Sequence, residues 1–379
     1  MPLSSKQKKI KPDWVPENAG SAFTTSVMPG VQRGHDGMPG IDLNRNNPSH
    51  SVNKKDYSTR EFVDGILIDN RTILAKAITL VESHSTKHIE KAQELLKALL
   101  PKTGNSIRIG ITGSPGAGKS TFIESLGCYL CNQGKKVAVL AIDPSSTRSK
   151  GSILGDKTRM ERLSREKNAF IRPSPSGGTL GGVARKTRET IMLCESAGFD
   201  TILIETVGVG QSEVTVRSMV DFFLLMILPG AGDELQGIKK GSVELADALV
   251  INKADGDNLL YANLTKSQYE MAVHYILPST QGWQTRVTTC SAQYETGISD
   301  IWDLVNEFIV NTKESGLLGK RRREQLLEWV YSMIDESLKQ KFYNHPLVSE
   351  AIPGIEQALL AGTITPTIAF NELMGIFRI

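Results

Sequence analysis

A glycine-rich segment has the residue types and spacing that bind phosphate groups, and its members are Gly113, Ser114, Pro115, Gly116, Ala117, Gly118, Lys119 and Ser120. It fits the pattern G-x-x-x-x-G-K-[ST], in which the glycines let successive backbone N–H groups point at phosphate oxygens. In that pattern Lys119 bridges the β- and γ-phosphates and the Ser120 hydroxyl binds Mg²⁺. An apolar run at 107–112 precedes the segment, and a helical pattern begins at Thr121. This context favours a nucleotide-binding loop that extends to Thr121 over a chance glycine-rich turn.

A second motif, Asn252-Lys253-Ala254-Asp255, predicts that the bound nucleotide carries guanine. The Asp255 carboxylate can accept hydrogen bonds from guanine N1–H and from the N2 amine, whereas adenine offers no such pair of donors. Asn252 is expected at the opposite edge of the base, with the aliphatic stem of Lys253 stacked on the ring. The pair Ser291 and Ala292 follows another apolar run and resembles the second base-contacting loop of GTPases. Because the motif follows both a phosphate loop and an apolar run, we interpret it as a guanine-binding site, with a plain turn as the alternative.

Two carboxylates end apolar runs and are candidates for a magnesium site. Glu205 opens the sequence Glu205-Thr206-Val207-Gly208, in which the carboxylate can reach Mg²⁺ through water and the Gly208 N–H can meet the γ-phosphate. Most GTPases have Asp at this position, so Glu is a departure. Asp143 follows the run at 137–142, and its alternative role is that of a hydrogen-bond acceptor in a turn before Pro144.

Long polar loops lie between these motifs, at 145–152, 174–182 and 229–241. Loops of this kind can order around a γ-phosphate and relax after hydrolysis. The first two are too long and too polar to be tight connections, so we interpret them as candidate switch segments. No sequence rule makes the third loop a switch, and an irregular loop is its alternative interpretation.

Seven apolar runs must position these residues, and they alternate with helical patterns at 107–112, 136–142, 168–172, 200–205, 222–228, 247–252 and 285–290. Continuously apolar runs are typical of strands that are buried on both faces. The sequence therefore predicts an α/β fold with a mainly parallel sheet flanked by helices. In such sheets ligands bind at the carboxyl ends of the strands, where all of the motifs above fall.

Four segments are expected along the chain: an extended or disordered arm at 1–56, a helical segment at 57–104, a P-loop GTPase domain at 105–316 and a helical tail at 317–379. Ser58, followed by Glu61, predicts a capping box at the first helix. The tail opens with a basic stretch at 320–323, which we interpret as the solvated start of a helix, with binding to an acidic surface as the alternative. Apolar residues then recur at helical spacing, namely Leu326, Leu327, Val330, Met333, Ile334 and Leu338. These positions need a covering surface, so we expect a homodimer that forms through the tail.

Composition narrows the class of protein. The 379 residues carry a net charge of +3, which is too balanced for nucleic acid to be the main partner. No apolar run approaches the roughly 18 residues of a membrane span, so we expect no membrane segment, and we expect no secretory signal.

Acidic residues come early and the first arginine is Arg33, which argues against a mitochondrial presequence and for a cytoplasmic protein. The 4 cysteines favour a reducing compartment, and Cys128 and Cys131 are interpreted as buried helix positions.

With these motifs in place, the chain resembles the MeaB/ArgK family of GTPases over about residues 58–379. The matching segments are 113–120, 143–146, 155–160, 205–213, 233–239 and 252–255. The family is described as GTPases that guard and load adenosylcobalamin-dependent methylmalonyl-CoA mutase. The resemblance therefore implies a GTP-hydrolysing metallochaperone that binds GTP or GDP with Mg²⁺ and has that mutase, or a related acyl-CoA mutase, as its partner.

The resemblance also implies roles for individual residues. Ser120, Asp143, Asp156 and Glu205 would form the Mg²⁺ and phosphate environment, and the catalytic set would be Lys119, Asp156, Glu205 and Lys239. Lys239 would lie in a third switch that moves on partner binding, and the tail resembles the dimerisation region of the family. The chain lacks Asp-x-His-x-x-Gly, the pattern with which cobalamin domains present His to cobalt, so the cobalamin is expected to belong to the partner.

Three alternative functions stay open at this point. A GTPase that inserts nickel or cobalt would carry a His- or Cys-rich tract, and the sequence has none. A nucleotide-dependent kinase acting on a transport protein, a label that older members of the family carried, is disfavoured by the guanine motif. A GTP-binding scaffold without turnover would be distinguished by a phosphate-release assay.

Overall fold

A seven-stranded parallel sheet forms the centre of the computed structural model, which describes residues 56–83, 85–142, 160–173, 180–206, 212–230 and 240–377. The strands are β1 Ile107–Gly113, β2 Val137–Ile142, β3 Ala169–Arg172, β4 Thr201–Thr206, β5 Phe222–Ile227, β6 Ala248–Ile251 and β7 Arg286–Thr289. Their order is β3-β2-β4-β1-β5-β6-β7, and every neighbouring pair is parallel. The predicted α/β fold is confirmed, and each strand ends within one residue of its predicted limits.

Helices flank the sheet, and those in the described residues are α1 Thr59–Leu67, α2 Arg71–Glu82, α3 Thr86–Leu99, α4 Lys119–Asn132, α5 Glu161–Arg165, α6 Leu180–Ser196, α7 Ser212–Arg217, α8 Lys240–Leu245, α9 Asn258–His274, α10 Ile298–Glu314, α11 Leu317–Tyr343, α12 Pro346–Leu360 and α13 Pro366–Phe377. Helix α1 begins with the predicted capping box. The Glu61 backbone N–H donates to Ser58 Oγ at 3.2 Å, and the Ser58 backbone N–H donates to Glu61 Oε2 at 2.8 Å. These two bonds satisfy backbone donors that the first turn of a helix leaves free.

Strand β5 divides the core into two layers because its side chains point alternately to opposite faces. Phe222, Leu224 and Met226 belong to one buried cluster, and Phe223, Leu225 and Ile227 belong to the other. On the first face, Phe222 packs edge-on against Phe308 of α10, with the ring centroids 5.0 Å apart. Burial on both faces explains why the strand is apolar at every position.

The N-terminal helices α1–α3 complete one of these layers. Their buried side chains, among them Ile66, Leu74 and Leu95, share a cluster with Ile202 of β4. An ion pair also links this segment to the sheet, because Lys136 lies 2.7 Å from Asp69. The three helices therefore pack on the core that carries the strand ends described below.

The basic stretch at the start of α11 is anchored in the sheet domain, so its interpretation as a solvated helix start is wrong for two residues. Arg322 pairs with Asp221 at 2.7 Å, and Arg321 lies 3.9 Å from Asp247. Both carboxylates are fully buried, and they directly precede β5 and β6. A buried carboxylate requires a partner charge. Arg322 supplies it to Asp221 from a distant part of the chain, and Arg321 adds to Arg217, which lies 3.2 Å from Asp247.

The apolar stripe of α11 stays uncovered within the single chain. Leu326, Leu327, Val330, Ile334 and Leu338 are all exposed. Helix α11 meets the sheet domain mainly near its first turns, through Arg321, Arg322 and Gln325. The stripe therefore remains available to another surface.

The four cysteines are free thiols and all are buried, which confirms the interpretation of Cys128 and Cys131 as buried helix positions. Burial raises the pKa of Cys131 to about 11 and that of Cys290 to about 12. None of the helices in the described part of the chain is both long and apolar enough to cross a membrane.

Candidate nucleotide-binding site

The phosphate loop lies between the carboxyl end of β1 and the start of α4, at the sheet edge where parallel folds bind ligands. Space and backbone conformation both require glycine at two positions. Gly113 has φ of 147°, and a Cβ there would lie 2.3 Å from the Met226 carbonyl oxygen in β5. Gly118 has φ of 83°, and a Cβ there would lie 2.5 Å from Asn252 Nδ2. The glycines thus let the loop approach both β5 and the predicted guanine motif closely.

Lys119 folds back over the phosphate loop. Its ammonium donates to the carbonyl oxygens of Gly113, at 2.9 Å, and of Ser114, at 3.1 Å. Burial lowers the pKa of Lys119, and the nearby carboxylate of Glu205 opposes that shift. Because charge-assisted hydrogen bonds to phosphate are stronger than those to neutral carbonyls, the ammonium is placed to exchange its present partners for phosphate oxygens.

Ser120 and Glu205 bring two oxygen donors together beside the phosphate loop. The Ser120 hydroxyl donates to Glu205 Oε1 at 2.8 Å. Adjacent strands bring them together, because Ile111 of β1 pairs with Glu205 of β4. Mg²⁺ prefers hard oxygen ligands and is commonly held by one or two protein groups together with phosphate and water, so this donor set fits it. No cluster of three or more His, Cys, Asp or Glu side chains suited to a metal occurs among the described residues, and such a site does not need one.

Three predicted site residues, Asp143, Asp156 and Lys239, lie outside the described residues, so their roles stay predictions. Within the loop, Pro115, Gly116 and Thr121 are exposed, as is expected on the open side of a binding site. The Ser114 hydroxyl is buried and has no hydrogen-bond partner in the described part of the chain.

Asn252 joins the phosphate loop to the base-contacting loop. Its Nδ2 donates to the Ala117 carbonyl oxygen at 2.8 Å, and its Oδ1 accepts from the Ala292 backbone N–H at 3.0 Å. The side chain is only 2% exposed. The predicted contact of Asn252 with the base stays a prediction. In the structure, both polar atoms of the Asn252 side chain form hydrogen bonds with backbone groups of the protein.

The other predicted base-contacting residues lie around the same loop. Ser291 Oγ donates to Asp255 Oδ2 at 2.5 Å, which orients the carboxylate. Lys253 is exposed and has φ of 59°, a left-handed conformation that turns the chain sharply after β6. Asp255 and Ser291 are therefore brought together from the ends of β6 and β7, as the sequence interpretation requires.

The predicted residues gather in two groups along one edge of the sheet. Lys119, Ser120 and Glu205 lie at the ends of β1 and β4, and Asp255 and Ser291 follow β6 and β7. The first group offers a cation, a hydroxyl and a carboxylate, which suits a phosphate chain with its metal. The second offers a carboxylate, the acceptor that the predicted contact with guanine requires. A single nucleotide placed along this edge would meet both groups.

Comparison with known proteins identifies the family. The model described as methylmalonyl Co-A mutase-associated GTPase MeaB matches residues 74–346, a span that contains every predicted site residue. The chain belongs to the MeaB family of GTPases. The resemblance inferred from the motifs is thereby confirmed.

Relatives of this MeaB-family chain cover most of its length. GTPase ArgK of Escherichia coli strain K12 is 46% identical over 80% of this chain and 92% of its own. The mitochondrial methylmalonic aciduria type A homolog of Mus musculus is 45% identical over 87% of this chain and 82% of its own. A crystal structure described as LAO/AO transport system kinase shares 37% identity at a TM-score of 0.70, over 85% of this chain and 98% of that one.

Sequence reasoning missed some residues that support the site of this MeaB-family protein. Ser125 Oγ of α4 donates to the Ala292 carbonyl oxygen at 2.6 Å, and Thr206 Oγ1 of β4 donates to Thr112 Oγ1 of β1 at 2.8 Å. Ser125 lies on the otherwise apolar face of α4, between Phe122 and Leu126. A polar residue on an apolar helix face was the signal that could have identified it.

Proposed function

We propose that this chain is a Mg²⁺-dependent GTPase that gates the loading of adenosylcobalamin onto methylmalonyl-CoA mutase, or a related acyl-CoA mutase, and protects the loaded enzyme. The observation that carries the proposal is the bond between Ser120 and Glu205 beside Lys119, on the same sheet edge as Asp255. The family description, which names association with the mutase, supplies the partner.

In this proposal the residues of the chain bind and position GTP. Lys119 exchanges the carbonyl oxygens of its own loop for β- and γ-phosphate oxygens, while the loop N–H groups cradle the phosphates. Ser120 and Glu205, with Asp143 and Asp156, are assigned to the environment of Mg²⁺, which neutralises phosphate charge when it is bound. Asp156 and Lys239 are proposed to complete the hydrolytic site.

One observation weighs against the alternative that this chain is a GTPase for the insertion of nickel or cobalt. The four thiols are buried, so none is presented as a soft metal ligand.

We further propose a homodimer through the tail, supported by the exposed apolar stripe of α11. Truncation before α11 would leave Asp221 without Arg322 and Asp247 with Arg217 but without Arg321, so surface substitutions are the better test. The double variant Leu327→Glu/Ile334→Glu should be monomeric by light scattering at micromolar concentration. Two exposed apolar residues of α9 supply the control, because Leu264→Glu/Met271→Glu should leave the mass unchanged.

The four-part division of the chain at residues 56, 104 and 316, and a cytoplasmic location, are kept as proposals. The proposed boundary at residue 316 separates the tail from the sheet domain. Arg321 and Arg322 nevertheless hold the first turns of α11 against that domain. Four free thiols suit a reducing compartment.

The experiment that tests the function is GTP hydrolysis with and without the methylmalonyl-CoA mutase of the same organism. We expect slow basal turnover and stimulation by the mutase, because a GTPase that needs a partner lacks complete transition-state stabilisation alone. Lys119→Ala serves as the inactive control. Absence of stimulation, together with absence of a complex in gel filtration with GDP or a non-hydrolysable GTP analogue, would refute the mutase partner and leave the GTPase assignment standing.

A further inference from the structure

Helix α7 is the first described element after β4, and it begins six residues after Thr206, where β4 ends. Near its start, Glu213 is 4% exposed and accepts a hydrogen bond from Ser242 Oγ of α8 at 2.5 Å. Helix α8 in turn follows the third candidate switch loop and precedes β6, which carries the guanine motif. The amino-terminal part of α7 is therefore tied to segments that lead to both halves of the nucleotide site.

The tail helix α11 holds the opposite end of α7. Gln325 of α11 is 7% exposed, and its Nε2 donates to the carbonyl oxygens of Val220, at 2.8 Å, and Arg217, at 3.3 Å. Arg217 is the last residue of α7, so this bond caps a carbonyl that the helix end leaves free. Arg188 of α6 reinforces the contact, because it donates to the Gln325 carbonyl oxygen at 2.9 Å and to Ser218 Oγ at 2.7 Å.

A buried charge cluster extends the same connection. The Asp247 carboxylate is fully buried and lies 3.2 Å from Arg217 of α7 and 3.9 Å from Arg321 of α11. It also accepts from the Phe223 backbone N–H at 2.9 Å and from Thr280 Oγ1 at 2.5 Å. Asp247 immediately precedes β6, so one carboxylate joins α7, the tail helix and the strand that ends in the guanine motif.

Two independent sets of bonds thus connect the tail to α7, one neutral through Gln325 and one charged through Asp247. Packed helices joined by buried polar networks have few intermediate arrangements. A change in the position of α11 must therefore either carry α7 with it or break buried hydrogen bonds, which is costly.

We propose that Gln325, with Arg217 and Asp247, forms a positioning contact through which the tail helix sets the rate of GTP hydrolysis. The contact holds α7, the first described helix after β4, and the last two residues of β4 are Glu205 and Thr206. The inference rests on the proposed GTP hydrolysis and does not depend on the identity of the partner protein.

The test uses the full-length protein with GTP alone, so that it does not depend on a mutase. Gln325→Met keeps the length of the side chain and removes its donor, whereas Gln340→Met makes the same change on an exposed part of α11. We expect Gln325→Met to lower kcat at least fivefold and to leave GDP affinity within twofold, because GDP lacks the γ-phosphate. Amide hydrogen exchange in residues 212–218 should become faster. Gln340→Met should match the parent in each measurement.

Three outcomes would overturn the proposal. The first is a Gln325→Met protein that loses thermal stability but keeps the parent kcat, since that would assign Gln325 a structural role only. The second is an equal loss of kcat in Gln340→Met. If Gln325→Met does not fold, Ser218→Ala decides, because it removes the hydroxyl that accepts from Arg188 at 2.7 Å and donates to the Thr215 carbonyl oxygen of α7 at 2.8 Å. That variant should lower kcat about twofold with unchanged GDP affinity, and an unchanged kcat is the third outcome.

Discussion

Replacing Asn252 by Ala should weaken the binding of both GDP and GTP and lower thermal stability. The side chain joins the phosphate loop to the base-contacting loop through bonds of 2.8 Å to the Ala117 carbonyl oxygen and 3.0 Å from the Ala292 N–H. Both loops must keep this relative position for one nucleotide to meet them at the same time. A variant that loses the connection therefore has to rebuild it during binding.

The magnitude follows from the groups left without partners. Ala117 and Ala292 are both buried, and a buried donor or acceptor without a partner costs about 1–3 kcal/mol. Two such groups give about 2–6 kcal/mol in total. If the loops stay closed, the cost appears as lower stability of the fold, and if they open, it appears as weaker binding. The lower bound corresponds to about 30-fold in a dissociation constant.

The assay combines calorimetry of GDP binding with thermal unfolding of the nucleotide-free protein. Asn263→Ala is the matched control, because Asn263 is an exposed asparagine of α9. Asn252→Asp adds a graded comparison, since it keeps the acceptor for the Ala292 N–H and replaces the donor to the Ala117 carbonyl. We expect its loss of affinity to be at least as large as that of Asn252→Ala, because a carboxylate oxygen would face a carbonyl oxygen.

One result would refute this reasoning. If Asn252→Ala kept the parent affinity for GDP within threefold and the parent unfolding temperature, the bridge would contribute nothing to the site. The hydrogen bonds of Asn252 would then result from the packing of the two loops, and they would not hold the loops together.

Further predictions concern neighbouring groups. Asp255→Asn should reduce the preference for GTP over ATP at least 100-fold in competition binding, because the pair of acceptors for guanine is lost, whereas the unfolding temperature should stay unchanged. Glu205→Gln should bind GDP without Mg²⁺ within threefold of the parent but lose most of the Mg²⁺-dependent increase in affinity, measured by titration with and without the metal. Lys119→Ala should lower GTP hydrolysis at least 100-fold in a phosphate-release assay, and parent-like turnover would contradict its assignment. Because burial raises the pKa of Cys131 to about 11, its thiol stays protonated at pH 8. The native protein should therefore react with a thiol reagent at least 100-fold more slowly than the unfolded chain, with all 4 thiols counted only after unfolding.

The sheet and the nucleotide chemistry were accessible from the sequence because their signals are local. A strand such as β5 is apolar at six consecutive positions, and that pattern requires only its own residues. Likewise, Gly113 and Gly118 belong to one short motif whose glycines meet a steric requirement of the loop itself. Even the meeting of Ser120 with Glu205 followed from the rule that carboxyl ends of parallel strands share one edge.

The supporting contacts were not accessible in this way. The hydrogen bond between Asn252 and Ala117 joins residues that are 135 positions apart in the chain, and the sequence around each residue gives no sign of the contact. The sequence assigned Asn252 to the base, because its motif is known for that contact. The structure adds a second role, which depends on how closely β6 approaches the phosphate loop.

The sequence by itself predicted the guanine-nucleotide motifs and determined the layer architecture that carries them, because short motifs and strand patterning are local signals. Only the tertiary structure showed that basic residues at the start of the tail pair with buried carboxylates of the sheet domain. Arg321 and Arg322 resemble a solvated basic stretch, yet Asp247 and Asp221, fully buried ahead of β6 and β5, draw them to the sheet domain. A lone Asp before a strand carries no local sign that it will be buried, and the cost of burying its charge is compensated only by a residue brought there by the fold.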